Sequence, residues 1–186
     1  MSPETEPGSG QEKTRDWRGT IARMAARMSA DDYPPGDLAE LRRLDPRCPD
    51  GRAFWTFVVR STPDALDDPP LQFALAVALR GMAIACPFHR SPEGQRRPLG
   101  LALAEANVSQ QRLLRLLRGG PEALDRWLRD LARLVRSKGP DAAFDWTDAF
   151  WLLRLLPDSD RGRQHRRTIA RDYYARILSK EKETVA

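Results

Sequence analysis

The chain lacks most of what stabilises small secreted proteins or marks common catalytic sites. Its 186 residues include two cysteines, Cys48 and Cys86, and two histidines, His89 and His165. Two thiols in a chain long enough to bury a core suit a reducing compartment and need no disulfide framework. Cys86 and His89 stand at C-x-x-H spacing, yet a structural zinc site needs about four ligands and only Cys48 and His165 remain, so neither metal nor cofactor is expected. There is no Gly-rich phosphate loop, Ser/His/Asp set or cysteine-nucleophile motif, and the chain is not expected to be an enzyme. No apolar run reaches the roughly 18 residues of a membrane span. The longest, Leu71–Cys86, is broken by Gln72, Arg80 and Gly81. The opening MSPETEPGSGQEK is polar and acidic with no apolar stretch, so residues 1–11 read as a disordered lead rather than a signal or transit peptide, and a cytoplasmic protein is expected. Lysine is scarce as well. Lys13, Lys138, Lys180 and Lys182 are the only ones, and arginine supplies the rest of the 31 basic residues. A GC-rich genome would account for that choice of cation but not for where the arginines fall.

What remains favours helices. Charged residues make up 31% of the chain, the apolar set is rich in Leu and Ala, and the 15 prolines and 12 glycines gather between apolar segments. Periodicity and punctuation predict nine helical stretches, over about 12–28, 37–44, 51–60, 70–86, 99–106, 109–118, 121–138, 145–156 and 161–179. The third, with Phe54, Trp55, Phe57 and Val58, has strand propensity, but no second strand exists to pair with it. The fourth places Phe73, Val77, Arg80 and Ile84 on one face among small Ala neighbours, as a core helix would. The expected architecture is all-α and two-lobed: an N-terminal helical lobe over 12–88, a polar linker at 89–97 (HRSPEGQRR), and a basic helical bundle over 98–180.

The arginines fall in rows on the second half. Residues 108–186 hold 17 Lys+Arg and 11 Asp+Glu, a net of +6; residues 1–107 hold 14 and 15, a net of −1; together these give the +5 of the whole chain. Over 121–138 the apolar positions are Leu124, Trp127, Leu128, Leu131, Leu134 and Val135, while Arg126, Arg129, Arg133 and Arg136 recur at helical spacing on another face. In the last helix Ile169, Tyr173 and Ile177 make the inward stripe, and Arg163, Arg167 and Arg171 lie one turn apart. Any single arginine here can be a solvated surface charge, and Asp125, Asp130 and Asp172 are placed to pair with neighbours. A repeated row of like charges repels itself, however, and phosphates would relieve that repulsion. The rows therefore point to a polyanion.

One segment has a form that could read bases. Leu99–Gly119, LGLALAEANVSQQRLLRLLRG, is close to a helix-turn-helix: Ala102 and Ala106 permit a close crossing, Asn107 suits a turn with positive φ, and Ser109 can cap a second helix bearing Gln110, Gln111, Arg112 and Arg115. Elsewhere the readings are structural. Trp146, Phe150 and Trp151 have the spacing of core residues rather than of a base-stacking platform, Asp145 and Asp148 suit the start of a helix, and His165 reads as solvated.

Taken in order, GDLAELRRLDP…AFWTFV, LGLALAEANVSQQRLLRLLRG, FDWTDAFWLLRLL and RRTIARDYYARIL resemble the small subunit of the type I-E CRISPR surveillance complex, the CasB family of Cascade, over roughly residues 36–178. The resemblance implies a two-lobed, all-helical, non-catalytic subunit. Its expected partners are the backbone and large subunits of Cascade, a second copy of itself, and the R-loop formed by CRISPR RNA and target DNA, with no membrane. By matching motif positions it implies phosphate contacts from Arg43, Arg112, Arg118 and Arg133, and from Arg163 and Arg167 on the last helix. A displaced strand needs an electrostatic track that ignores sequence, and contacts of that kind tip the near-balanced exchange of R-loop formation. The competing expectations are a helix-turn-helix transcription regulator and a pure assembly scaffold.

Overall fold

A computed structural model describes residues 15–89, 96–155 and 157–185. The expected lead over residues 1–11 and most of the expected linker, residues 90–95, lie outside the described residues. Among those described there are nine α-helices, two 3-10 turns (Pro63–Ala65 and Pro140–Ala142) and no strand. The helices are α1 Trp17–Met28, α2 Pro35–Arg43, α3 Arg52–Ser61, α4 Pro69–Ala85, α5 Leu99–Glu105, α6 Gln110–Arg118, α7 Pro121–Lys138, α8 Trp146–Arg154 and α9 Asp160–Val185. The all-α expectation holds, with small shifts at the ends.

Those shifts follow from caps. Asp16 accepts from the Gly19 amide at 2.9 Å, so α1 opens at Trp17 rather than at the expected residue 12. Pro35 occupies the first turn of α2, where its missing N–H costs nothing, and the helix begins before Asp37. Asp37 lies inside the first turn, favoured there by the helix dipole. The 51–60 segment is helical because Ala53, Phe54, Phe57 and Val58 bury at i, i+1, i+4 and i+5, a single helical stripe.

α4 is the central element. Leu71, Ala74, Leu75, Ala76, Val77, Ala78, Leu79, Arg80, Gly81, Met82, Ala83 and Ala85 are all buried, so every face of the helix is covered. α2, α7 and α8 pack on it. The small residues set how closely: a methyl group at Gly81 would lie 2.2 Å from the Trp146 ring of α8. Truncating a core residue such as Leu79 would cost about 2–5 kcal/mol.

α9 closes the second half against α5. A methyl at Gly100 would fall 2.1 Å from the Ile169 carbonyl oxygen and 2.9 Å from the Tyr173 nitrogen, so the two backbones touch where only glycine fits. The Tyr173 hydroxyl donates to the Val108 carbonyl at 2.5 Å, and Lys180 Nζ donates to the Ala104 carbonyl at 3.0 Å. The turn they grip holds Asn107 at φ 56°, the positive φ expected of it, and Ser109 caps α6 by accepting from the Arg112 amide at 3.4 Å. Asp148 of α8 is buried, and its Oδ2 accepts from the Leu99 amide at 2.9 Å. A carboxylate expected to serve its own helix thus also caps the start of α5.

Candidate nucleic-acid interface

The arginines meet three different fates. Some are spent on the fold. Arg166 is buried, and its guanidinium donates to three carbonyls: Nε to Leu117 at 3.0 Å, Nη2 to Leu152 at 3.3 Å and Nη1 to Gly162 at 3.4 Å. It thereby serves carbonyls in the last turns of α6 and α8, which lack partners of their own. Desolvation lowers its pKa, with Asp158 opposing. Arg136 does the same for α4, donating to Ile84 at 3.2 Å and Cys86 at 3.3 Å. A second group pairs with acids: Arg176 with Glu105 of α5 at 3.2 Å, both half-buried, and at the surface Arg133 with Asp130 at 3.1 Å, Arg163 with Asp160 at 2.5 Å and Arg171 with Asp172 at 2.8 Å. Exposed pairs of this kind hold their partners by about 1 kcal/mol or less, so they yield readily to a stronger anion. A third group is exposed and has no ion pair or side-chain hydrogen bond within the described residues: Arg43, Arg60, Arg112, Arg115, Arg118, Arg126 and Arg167, with Arg161 stacked over the Trp151 ring.

Two concave features lie among them. A shallow groove on α6, about 510 Å³, is lined by Gln111, Leu114, Arg115, Arg118 and Gly119. A second cleft of about 390 Å³ opens where α2, α4 and α7 meet, lined by Arg42, Arg43, Leu44, Arg80, Ile84, Arg129 and Arg133. Five arginines from three helices line that cleft. Arg80 is its floor, only 3% exposed. It pairs with Asp125 of α7, and its Nη1 donates to the Leu44 carbonyl at 3.3 Å. Burial pushes its pKa down to about 10, with Arg129 and Arg133 also lowering it and Asp45 opposing, so it stays charged at neutral pH.

Of the six arginines expected to contact phosphate, this cleft brings Arg43 and Arg133 together. Arg118 lines the α6 groove. Arg112 stands exposed at the start of the same helix. Arg163 and Arg167 lie on α9 and line neither cleft, and Arg163 is turned onto Asp160 and the Asp158 carbonyl. Sequence reasoning missed Arg42, Arg80 and Arg129 as members of the cleft. Arg80 did leave a signal, a lone cation in an otherwise apolar helix.

The other candidates settle into structural roles. Trp146 and Phe150 are buried, and Phe150 stacks on Trp17 with ring centroids 4.7 Å apart. Asp145 caps α8, accepting from the Thr147 amide at 2.9 Å. His165 is half-buried rather than solvated, with Nε2 donating to the Asp148 carbonyl at 2.9 Å. His89 is buried, and its Nε2 donates to the Ala25 carbonyl at 2.8 Å. Cys48 is exposed and Cys86 buried.

Fold and site together define a class: a helical protein, strand-free among the described residues, that fixes arginines from several helices around one cleft. The family follows from the sequence of that scaffold. Residues 37–174 match the model of the family described as CRISPR-associated protein Cse2, and the chain belongs to it. This is the small-subunit family of the type I-E Cascade complex to which the ordered motifs pointed. No curated protein and no solved structure matches the chain.

Proposed function

We propose that this chain is the non-catalytic small subunit that steadies the R-loop of a CRISPR-RNA-guided Cascade complex, holding target and displaced DNA strands by sequence-independent phosphate contacts. The observation that carries the reading is the convergence of Arg42, Arg43, Arg80, Arg129 and Arg133 on one cleft. The unpaired Arg112, Arg115 and Arg118 of α6 extend the positive surface. Guanidinium groups recognise phosphate oxygens whatever base follows, and contacts of this kind supply most non-specific affinity. The partners of this reading are the backbone and large subunits, a second copy of the chain, and the RNA–DNA R-loop, in the cytoplasm. No helix among the described residues is long and apolar enough to cross a membrane.

The test is retention of target DNA by the assembled complex. Arg112, Arg118 and Arg133 changed together to Glu should weaken retention across unrelated sequences and flatten its dependence on salt, while circular dichroism stays that of the parent. Parent-like retention at every salt concentration would sink the reading. A second reading rests on a specific observation: Asn107 in the turn, the Ser109 cap and exposed Gln110, Gln111, Arg112 and Arg115 have the layout of a base-reading helix. A footprint confined to one operator, made by the chain alone, would favour it.

A further inference from the structure

The groove on α6 is apolar at its centre as well as basic. Gln111, Leu114, Arg115 and Arg118 stand at i, i+3, i+4 and i+7, so they form one outward face about 10 Å long. The leucines of the helix divide. Leu113 and Leu116 are buried in the core, whereas Leu114 lies on the groove and is 40% exposed. α6 carries no acid, and neither Arg115 nor Arg118 has an ion pair among the described residues. An exposed leucine gains only from an apolar group set against it, and the two cations beside it favour an anion. A phosphate backbone meets the second demand and not the first. A stacked base would be met by an aromatic side chain, and none lines this groove.

We infer that this groove docks an acidic segment of a protein partner, with one apolar side chain seated on Leu114 and carboxylates on Arg115 and Arg118. Amphipathic segments are read through anchors at this helical spacing. The planar guanidinium fork matches a carboxylate in two hydrogen bonds, and an aliphatic contact beside the pair keeps water from it. Gln111, at the other end of the face, offers both an amide donor and an acceptor to the main chain of such a segment. Arg112 does not line the groove and lies outside this contact. Leu114, the anchor, has no part in the R-loop reading, so the two stand or fall separately.

Two measurements test the dock. In the first, the leucine methyl signals of the full chain are followed by NMR as a probe is added. The probes are a short helical peptide with a leucine between glutamates, the same peptide with serine for leucine, and an oligo-dT strand. The Leu114 methyls are expected to move with the leucine peptide, and about fivefold more of the serine peptide should be needed for the same shift. Arg115→Glu with Arg118→Glu should abolish the shift, and a lysine version of the leucine peptide should restore it. Equal binding of the leucine and serine peptides would reduce the groove to charge attraction and overturn the inference, as would no movement with either. Movement with oligo-dT alone would give the groove to nucleic acid and overturn it too. In the second, Leu114→Ser is compared with the parent, both in the assembled complex and as the free chain. The side chain is already exposed, so the fold should be kept. The complex is expected to hold target DNA as the parent does, and the free chain to sediment as the parent does. Weaker DNA retention would assign the groove to a strand, and lost self-association would assign it to a second copy; either overturns the inference. If the peptide fails while the triple variant of Arg112, Arg118 and Arg133 still loses DNA, the dock falls and the R-loop reading survives.

Discussion

α6 and α9 both carry arginines about one turn apart, and the two rows differ in almost everything else. On α9, Arg166 is buried among backbone carbonyls, Arg163 and Arg171 lean on aspartates of the same helix, and Arg176 reaches Glu105 of α5. Arg167 is the free member of that row. α6 contains no acid at all, and Arg112, Arg115 and Arg118 stand exposed and unpaired. Spacing makes a row; nearby acceptors decide whether the row remains available to a ligand. On α9 Arg166 serves the fold and Arg163, Arg171 and Arg176 are engaged by carboxylates, whereas the arginines of α6 have no carboxylate beside them among the described residues.

The largest effect that would break this contrast lies at Arg166. Arg166→Ala should lower stability by about 2–4 kcal/mol in denaturant melts, because the Leu117 and Leu152 carbonyls lose their donor inside the protein. Arg167→Ala, one residue on, should stay within about 0.5 kcal/mol of the parent. Equal effects would mean that α9 does not divide its arginines as described. Next comes Gly100→Ala, expected to cost about 1–3 kcal/mol by pushing α5 off the α9 backbone, with parent-like retention of DNA in whatever fraction folds.

Charge reversal sharpens the contrast on the functional side. Arg112→Glu with Arg118→Glu should weaken DNA retention severalfold at moderate salt, while Arg163→Glu with Arg171→Glu should change it little; a gel-shift series across salt concentrations compares them. The smallest expected effect is Ser109→Ala, which should loosen the start of α6 by about 1 kcal/mol and leave α9 untouched in hydrogen exchange.

Much of the scaffold could be read from local rules. The nine helices, the Asn107 turn, the Ser109 cap and the inward faces of α7 and α9 rest on interactions within about five residues, which sequence patterns encode directly. The cleft could be read only in part. Arg43 and Arg133 were picked out by motif, but Arg80 meets Asp125 across 45 residues and Arg129 joins them from α7. Arg166 was hidden in a run of basic residues because nothing in RGRQHRR says which side chain the Leu117 and Leu152 carbonyls will surround. Asp148 was read as a carboxylate for its own helix, although it also anchors Arg96 at 2.8 Å and caps α5.

The residue order therefore carried the helices, their caps, the uneven charge and the family, since each depends on spacing along the chain. Packing assigned the roles of the individual arginines. A guanidinium is the same donor fork wherever it stands, and whether it closes a helix end, pairs with a surface acid or waits at a cleft is set by the acceptors that distant segments bring beside it.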